Sequence, residues 1–197
     1  DWTSDVCSSD LPENFIRLHD GDELQIGRQA WKVIVGSGHS PEHACLYCPE
    51  LKVLISGDQV LPRISSNVSV YPTEPQADPM SDWLASLDKL QTRIDDDVLV
   101  LPSHNEPFHG LHARLKALRD AQGDCFNRLL KACAQPKRAI DVFDALFGRA
   151  ITQDNLQLLG MATGESIACL NHLIHRGDLR REQRDDGVFW YQARSTA

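Results

Sequence analysis

Three apolar runs in the first two thirds of the chain each stop at a turn that carries a residue able to bind a metal or move a proton. Trp31, Val33 and Val35 alternate and give way to Gly36-Ser-Gly-His39-Ser-Pro-Glu-His43. Lys52-Val-Leu-Ile55 gives way to Ser56-Gly-Asp58, and Val98-Leu-Val-Leu101 to Pro102-Ser-His104-Asn105. Alternation marks a half-buried strand, and a continuous apolar run marks a buried one. Catalytic groups gather on loops past strand ends, where a rigid scaffold holds them. Glycine or proline frames each of these turns, and glycine also removes the Cβ that would crowd a bound group. Two imidazoles and one carboxylate (His39, His104 and Asp58) suit Zn²⁺, Mn²⁺ or Fe²⁺, and the carboxylate has two oxygens with which to bridge two ions.

The rest of the chain reads as mixed α and β. Phe15, Ile16 and Leu18 form a β pattern before the hairpin-type turn Asp20-Gly21-Asp22; Leu24 and Ile26 alternate after it, and Gly27 breaks that run. Residues 43–47 form another short strand. Residues 61–78, rich in Pro, Ser and Asn, form a long loop of the kind that carries function, and Arg63, Asn67 and Tyr71 are its best-suited substrate contacts. Pro79 opens a helix with an apolar stripe at Trp83, Leu84, Leu87 and Leu90. A second helix is expected from 109 to about 134 with a break near Gly123, and Gln135-Pro136 marks a domain boundary. Residues 135–197 then read as helices at 139–147, 154–159 and 163–176 followed by a hairpin, which is the winged-helix pattern.

Charge narrows the function. The net charge of −8 falls entirely in residues 1–134, with 12 Lys or Arg against 20 Asp or Glu, while residues 135–197 balance at 8 of each. An acidic chain without a basic stripe is a poor nucleic-acid binder. On the 163–176 helix, Ile167, Leu170, Leu173 and Ile174 make a core stripe. Glu165, Ser166, Asn171, His172, His175 and Arg176 are expected on the exposed side, too weakly basic to hold a phosphate backbone. A packing or homodimerisation role for this unit is the better expectation. No apolar run is long enough to span a bilayer. Six cysteines without a signal peptide point to the cytoplasm, and Cys45-Leu-Tyr-Cys48 reads as buried strand packing rather than metal or redox chemistry.

Gly38-His39-Ser40-Pro41-Glu42-His43, Ser56-Gly57-Asp58 and His104 together resemble the last three metal-binding motifs of the metallo-β-lactamase-fold hydrolases. The tail resembles the winged-helix domain appended to one branch of that superfamily. The resemblance implies an α/β fold, the second half of an αββα sandwich over residues 12–134, followed by a winged helix over 135–197. It also implies that His39 ligates one metal, His104 a second, and Asp58 bridges both. His43 would orient a ligand or a loop. The implied chemistry is hydrolysis of an ester- or thioester-type small molecule by metal-activated water; a nuclease with the winged helix as its arm, and a non-catalytic winged-helix binding module, are the alternatives. The family's first motif, His-x-His-x-Asp-His, is absent, and residues 1–11 resemble a translated sequencing adapter. The expectation is therefore an inactive fragment with two donors for each metal where about three are needed.

Overall fold

The computed structural model describes residues 15–148, 150–152 and 154–194; the adapter-like stretch 1–11 lies outside them. Five strands form one sheet in the order β1 (Glu23–Ile26), β2 (Gln29–Gly36), β3 (His43–Cys48), β4 (Val53–Gly57) and β5 (Leu99–Pro102). The first four make an antiparallel meander, as short turns demand. Gly27 at φ 63° and Lys52 at φ 53° take the left-handed conformations that such turns need. β5 pairs parallel with β4 after a crossover through α1 (Pro79–Arg93), and this places the C-terminal ends of β2, β4 and β5 along one edge.

α1 starts where the sequence says it should. Asp78 caps it by accepting from the Ser81 amide at 3.1 Å, Pro79 occupies the first turn, and Met80, Trp83, Leu87 and Leu90 are buried. α2 (Leu111–Ala132) runs unbroken through Gly123, whose missing Cβ faces open space. Its seam of Leu111, Leu115, Leu118, Phe126 and Leu129 outweighs one unfavourable residue. Residues 15–18 form no strand, and Phe15 and Ile16 stand exposed.

Beyond residue 135 a 3-10 turn (Ala139–Val142) leads into α3 (Phe143–Leu146). One long helix, α4 (Leu156–His175), replaces the two expected, and the hairpin of β6 (Leu179–Gln183) and β7 (Phe189–Ala193) closes the chain. Asn155 caps α4 by accepting from the Leu158 amide at 2.9 Å. A single buried cluster extends from Ile34 on β2 through Trp83 and Leu115 to Cys169, Leu173 and Tyr191, so the C-terminal unit shares its core with the sheet-bearing unit. The side of α4 expected in water divides: Ser166, Asn171 and His172 are buried, Glu165 is half-buried, and His175 and Arg176 stay exposed.

Candidate active site

The three turns past β2, β4 and β5 meet. Asp58 lies between two imidazoles, with Oδ2 3.5 Å from His39 Nε2 and Oδ1 3.3 Å from His104 Nε2. All three side chains reach solvent, at 30% exposure for His39, 28% for Asp58 and 48% for His104.

Local backbone chemistry sets each position. Gly38 at φ 103° lies against Trp83 of α1, where a Cβ would overlap the Trp83 side chain, so the turn carrying His39 is pressed onto that helix. Gly57 at φ 54° makes room for His43, because a Cβ there would strike His43 Nε2. The His43 ring donates from Nε2 to the Ser56 carbonyl at 3.1 Å, and burial pushes its pKa below the ordinary histidine value despite that bond. His43 thus braces the strand end beside Asp58 and does not contact the carboxylate through a hydrogen bond.

Asp58 is fixed from two sides: the Ser103 hydroxyl donates to Oδ1 and the Ser66 hydroxyl to its backbone carbonyl. His39 is oriented from behind, its Nδ1 lying 2.9 Å from the carbonyl of Asn67. A carbonyl only accepts, so Nδ1 carries the proton, and in the neutral ring the lone pair of Nε2 faces the carboxylate. Two lone pairs directed at each other repel unless a cation or proton lies between them. The arrangement therefore suits a cation at this position. Ser66, Ser103 and the Asn67 carbonyl are not singled out by sequence reasoning; only the position of Ser103 next to His104 hints at such a role.

The three expected substrate contacts separate. Arg63 pairs with Glu106, two residues past His104. Asn67 serves the His39 support just described. Tyr71, 57% exposed, borders two cavities. One, of 260 Å³, begins at Gly38 and Ser40 beside His39 and is lined also by Ser69 and Asp82. The other, of 470 Å³ and mostly apolar, is bounded by Pro72, Ile167, Arg181, Phe189 and Tyr191. Burial pushes the Cys45 thiol up to about 12, and Cys48 is equally enclosed, in keeping with strand packing.

Both parts of the chain match known families. Residues 7–104 match the sequence model of the metallo-beta-lactamase superfamily, and residues 126–194 match that of the metallo-beta-lactamase-like C-terminal domain. A beta-lactamase domain protein from Burkholderia ambifaria superposes with a TM-score of 0.88 and 41% identity, over 93% of this chain and 54% of that one. A metallo-beta-lactamase family protein from Thermus thermophilus superposes with a TM-score of 0.79 and 27% identity, over 93% and 56%. A hydroxyacylglutathione hydrolase from Hydrogenovibrio crunogenus is 31% identical over 95 residues, 48% of this chain and 32% of that relative. The chain spans about half the length of the solved structures and a third of the curated relative.

Proposed function

We propose that this chain, which carries metallo-beta-lactamase superfamily domains, supplies one half of the site of a metal-dependent hydrolase acting on small ester or thioester substrates. The observation that carries the reading is the Asp58 carboxylate held between the Nε2 atoms of His39 and His104.

The superfamily usually binds divalent metals. The residues here fit such an ion in kind: imidazole and carboxylate are donors for Zn²⁺, and Nε2 of His39 has its lone pair directed forward. They fall short in number. Among the described residues no group of three or more His, Cys, Asp or Glu is disposed to hold an ion, which leaves His39 with Asp58 on one side and His104 with Asp58 on the other. These residues would hold a divalent ion as part of a larger donor set, and that ion would lower the pKa of a water and polarise the substrate carbonyl.

The chain's own residues do the positioning. Asn67 directs His39, Ser103 and Ser66 fix Asp58, and His43 braces the end of β4 through the Ser56 carbonyl. Tyr71 lines both the cavity that begins at Gly38 and Ser40 and the more apolar one bounded by α4 and the hairpin, a position open to the acyl part of a substrate. The hydroxyacylglutathione hydrolase among the relatives supports a thioester substrate. The nuclease alternative is disfavoured by charge: part of the α4 face it would offer is buried at Ser166, Asn171 and His172, and residues 135–197 carry as many acidic as basic side chains.

Zinc competition against a chromophoric chelator tests the site. Weak binding that Asp58→Ala abolishes is expected, because both donor pairs share that carboxylate. Tight binding of two ions by this chain, or binding unchanged by Asp58→Ala, would overturn the assignment. Screening the whole protein over hydroxyacyl thioesters, lactones and RNA tests the substrate class, and turnover of RNA alone would replace the esterase reading with the nuclease one.

A further inference from the structure

The loop expected to touch substrate is fastened along its length to α4. Val70 donates its amide to the Gly164 carbonyl at 3.1 Å. Asn171 Nδ2 donates to the carbonyls of Pro75 and Ala77 at 3.1 and 2.9 Å, and His172 Nδ1 meets Asp78 Oδ1 at 3.2 Å. Gly164 permits the approach, since a Cβ there would lie 2.9 Å from both Cβ and Oγ of Ser69.

One of these fastenings leads directly to the candidate site. Asn67 Nδ2 donates to Glu165 Oε2 at 2.8 Å, and the Ser69 hydroxyl donates to Asn67 Oδ1 at 2.7 Å. The side-chain amide is thus held at both ends, which fixes the peptide whose carbonyl accepts from His39 Nδ1. Glu165 is half-buried, and its hydrogen bond to Asn67 links α4 to the segment that carries this carbonyl.

We propose that Glu165 of the C-terminal unit is a positioning residue for His39, acting through Asn67 to hold the imidazole with its proton on Nδ1 and Nε2 directed at Asp58. The C-terminal unit then has a function at the site without touching substrate: it sets the tautomer and aim of one metal-binding donor. Partners that orient ligands in this way commonly matter to a metal site nearly as much as the ligands themselves. The inference rests on the proposed role of His39, and its test does not require turnover.

Long-range ¹H–¹⁵N spectra of the full chain, labelled in histidine, read the tautomer of His39 directly. The native chain is expected to show the Nδ1–H tautomer with an observable Nδ1 proton. Glu165→Ala is expected to lose that proton signal and mix the tautomers, while Glu165→Gln, whose amide oxygen still accepts from Asn67, restores both. Asn67→Ala cuts the same link without altering α4 and decides the matter should Glu165→Ala fail to fold. A purely structural role for Glu165 would move the melting temperature and leave the His39 spectrum native. That outcome, or an unchanged spectrum in Asn67→Ala, overturns the proposal. If the whole protein hydrolyses nothing while these shifts appear, the hydrolase reading fails and the positioning survives.

Discussion

Glu165 also has a thermodynamic signature. Burial pushes its carboxyl up to about 7 from an ordinary 4.5, and the Asn67 bond only partly offsets this. The folded state therefore favours the protonated acid. Its contribution to stability is complete below pH 4.5 and is lost as the pH rises towards 7, a change of up to about 3 kcal/mol. His43 and His172 act in the opposite direction. Burial lowers both, so their cost appears as the pH falls below 6.5. Urea midpoints at pH 5 and pH 8 should show Glu165→Gln losing most of the decline seen on the alkaline side; a variant that keeps the native decline would locate the titration elsewhere. Sequence reveals these residues unevenly. His39, Asp58 and His104 are legible because each ends a local strand-turn pattern. Glu165 is not, because its partner is 98 residues distant and nothing in its own helix distinguishes it from a solvated acid.

α4 shows at the level of an element why glycine misleads. Gly160 suggests a break between two short helices, yet the helix runs through it, capped by Asn155 and held by buried Leu170 and Leu173. The two glycines of this helix invite opposite outcomes. At Gly160 a Cβ meets nothing within 4 Å, so Gly160→Ala should raise stability by about 0.5–1 kcal/mol through helix propensity alone. At Gly164 the same change forces Ser69 and the Val70 carbonyl away, so Gly164→Ala should lower the melting temperature and loosen the 67–70 segment. Thermal denaturation of the pair checks this, and two stabilised variants would show that α4 is not closely docked. The inward face of α4 could not be read from its residue types. Ser166, Asn171 and His172 look like surface residues until the loop carbonyls of Pro75 and Ala77 and the Asp78 carboxylate supply partners for two of them.

For the molecule as a whole, the apolar pattern of the strands forecasts the sheet well and its environment less completely. One face of the sheet packs under α1 and α2. On the other, cross-strand neighbours Ala44, Leu46, Val53, Ile55, Leu99 and Leu101 form an apolar strip that stays partly in contact with water, with Ile55 38% exposed. Strips of this kind bind apolar dyes and promote association. Anilinonaphthalene sulfonate fluorescence in the native chain should exceed that of the Ile55→Glu variant, and sedimentation should show association that rises with concentration and weakens in the same variant. Equal dye binding would mean that the strip is covered. The fastening of residues 67–78 to α4 also has a consequence in time. The meander of β1 to β4 joins near neighbours in sequence and can form early, whereas the Asn67–Glu165 bond closes a far longer loop, which is entropically costly and slow. On the proposed role of Glu165, His39 takes its final aim only once α4 has docked onto the 67–70 segment, a contact more distant in sequence than any pairing within the β1 to β4 meander.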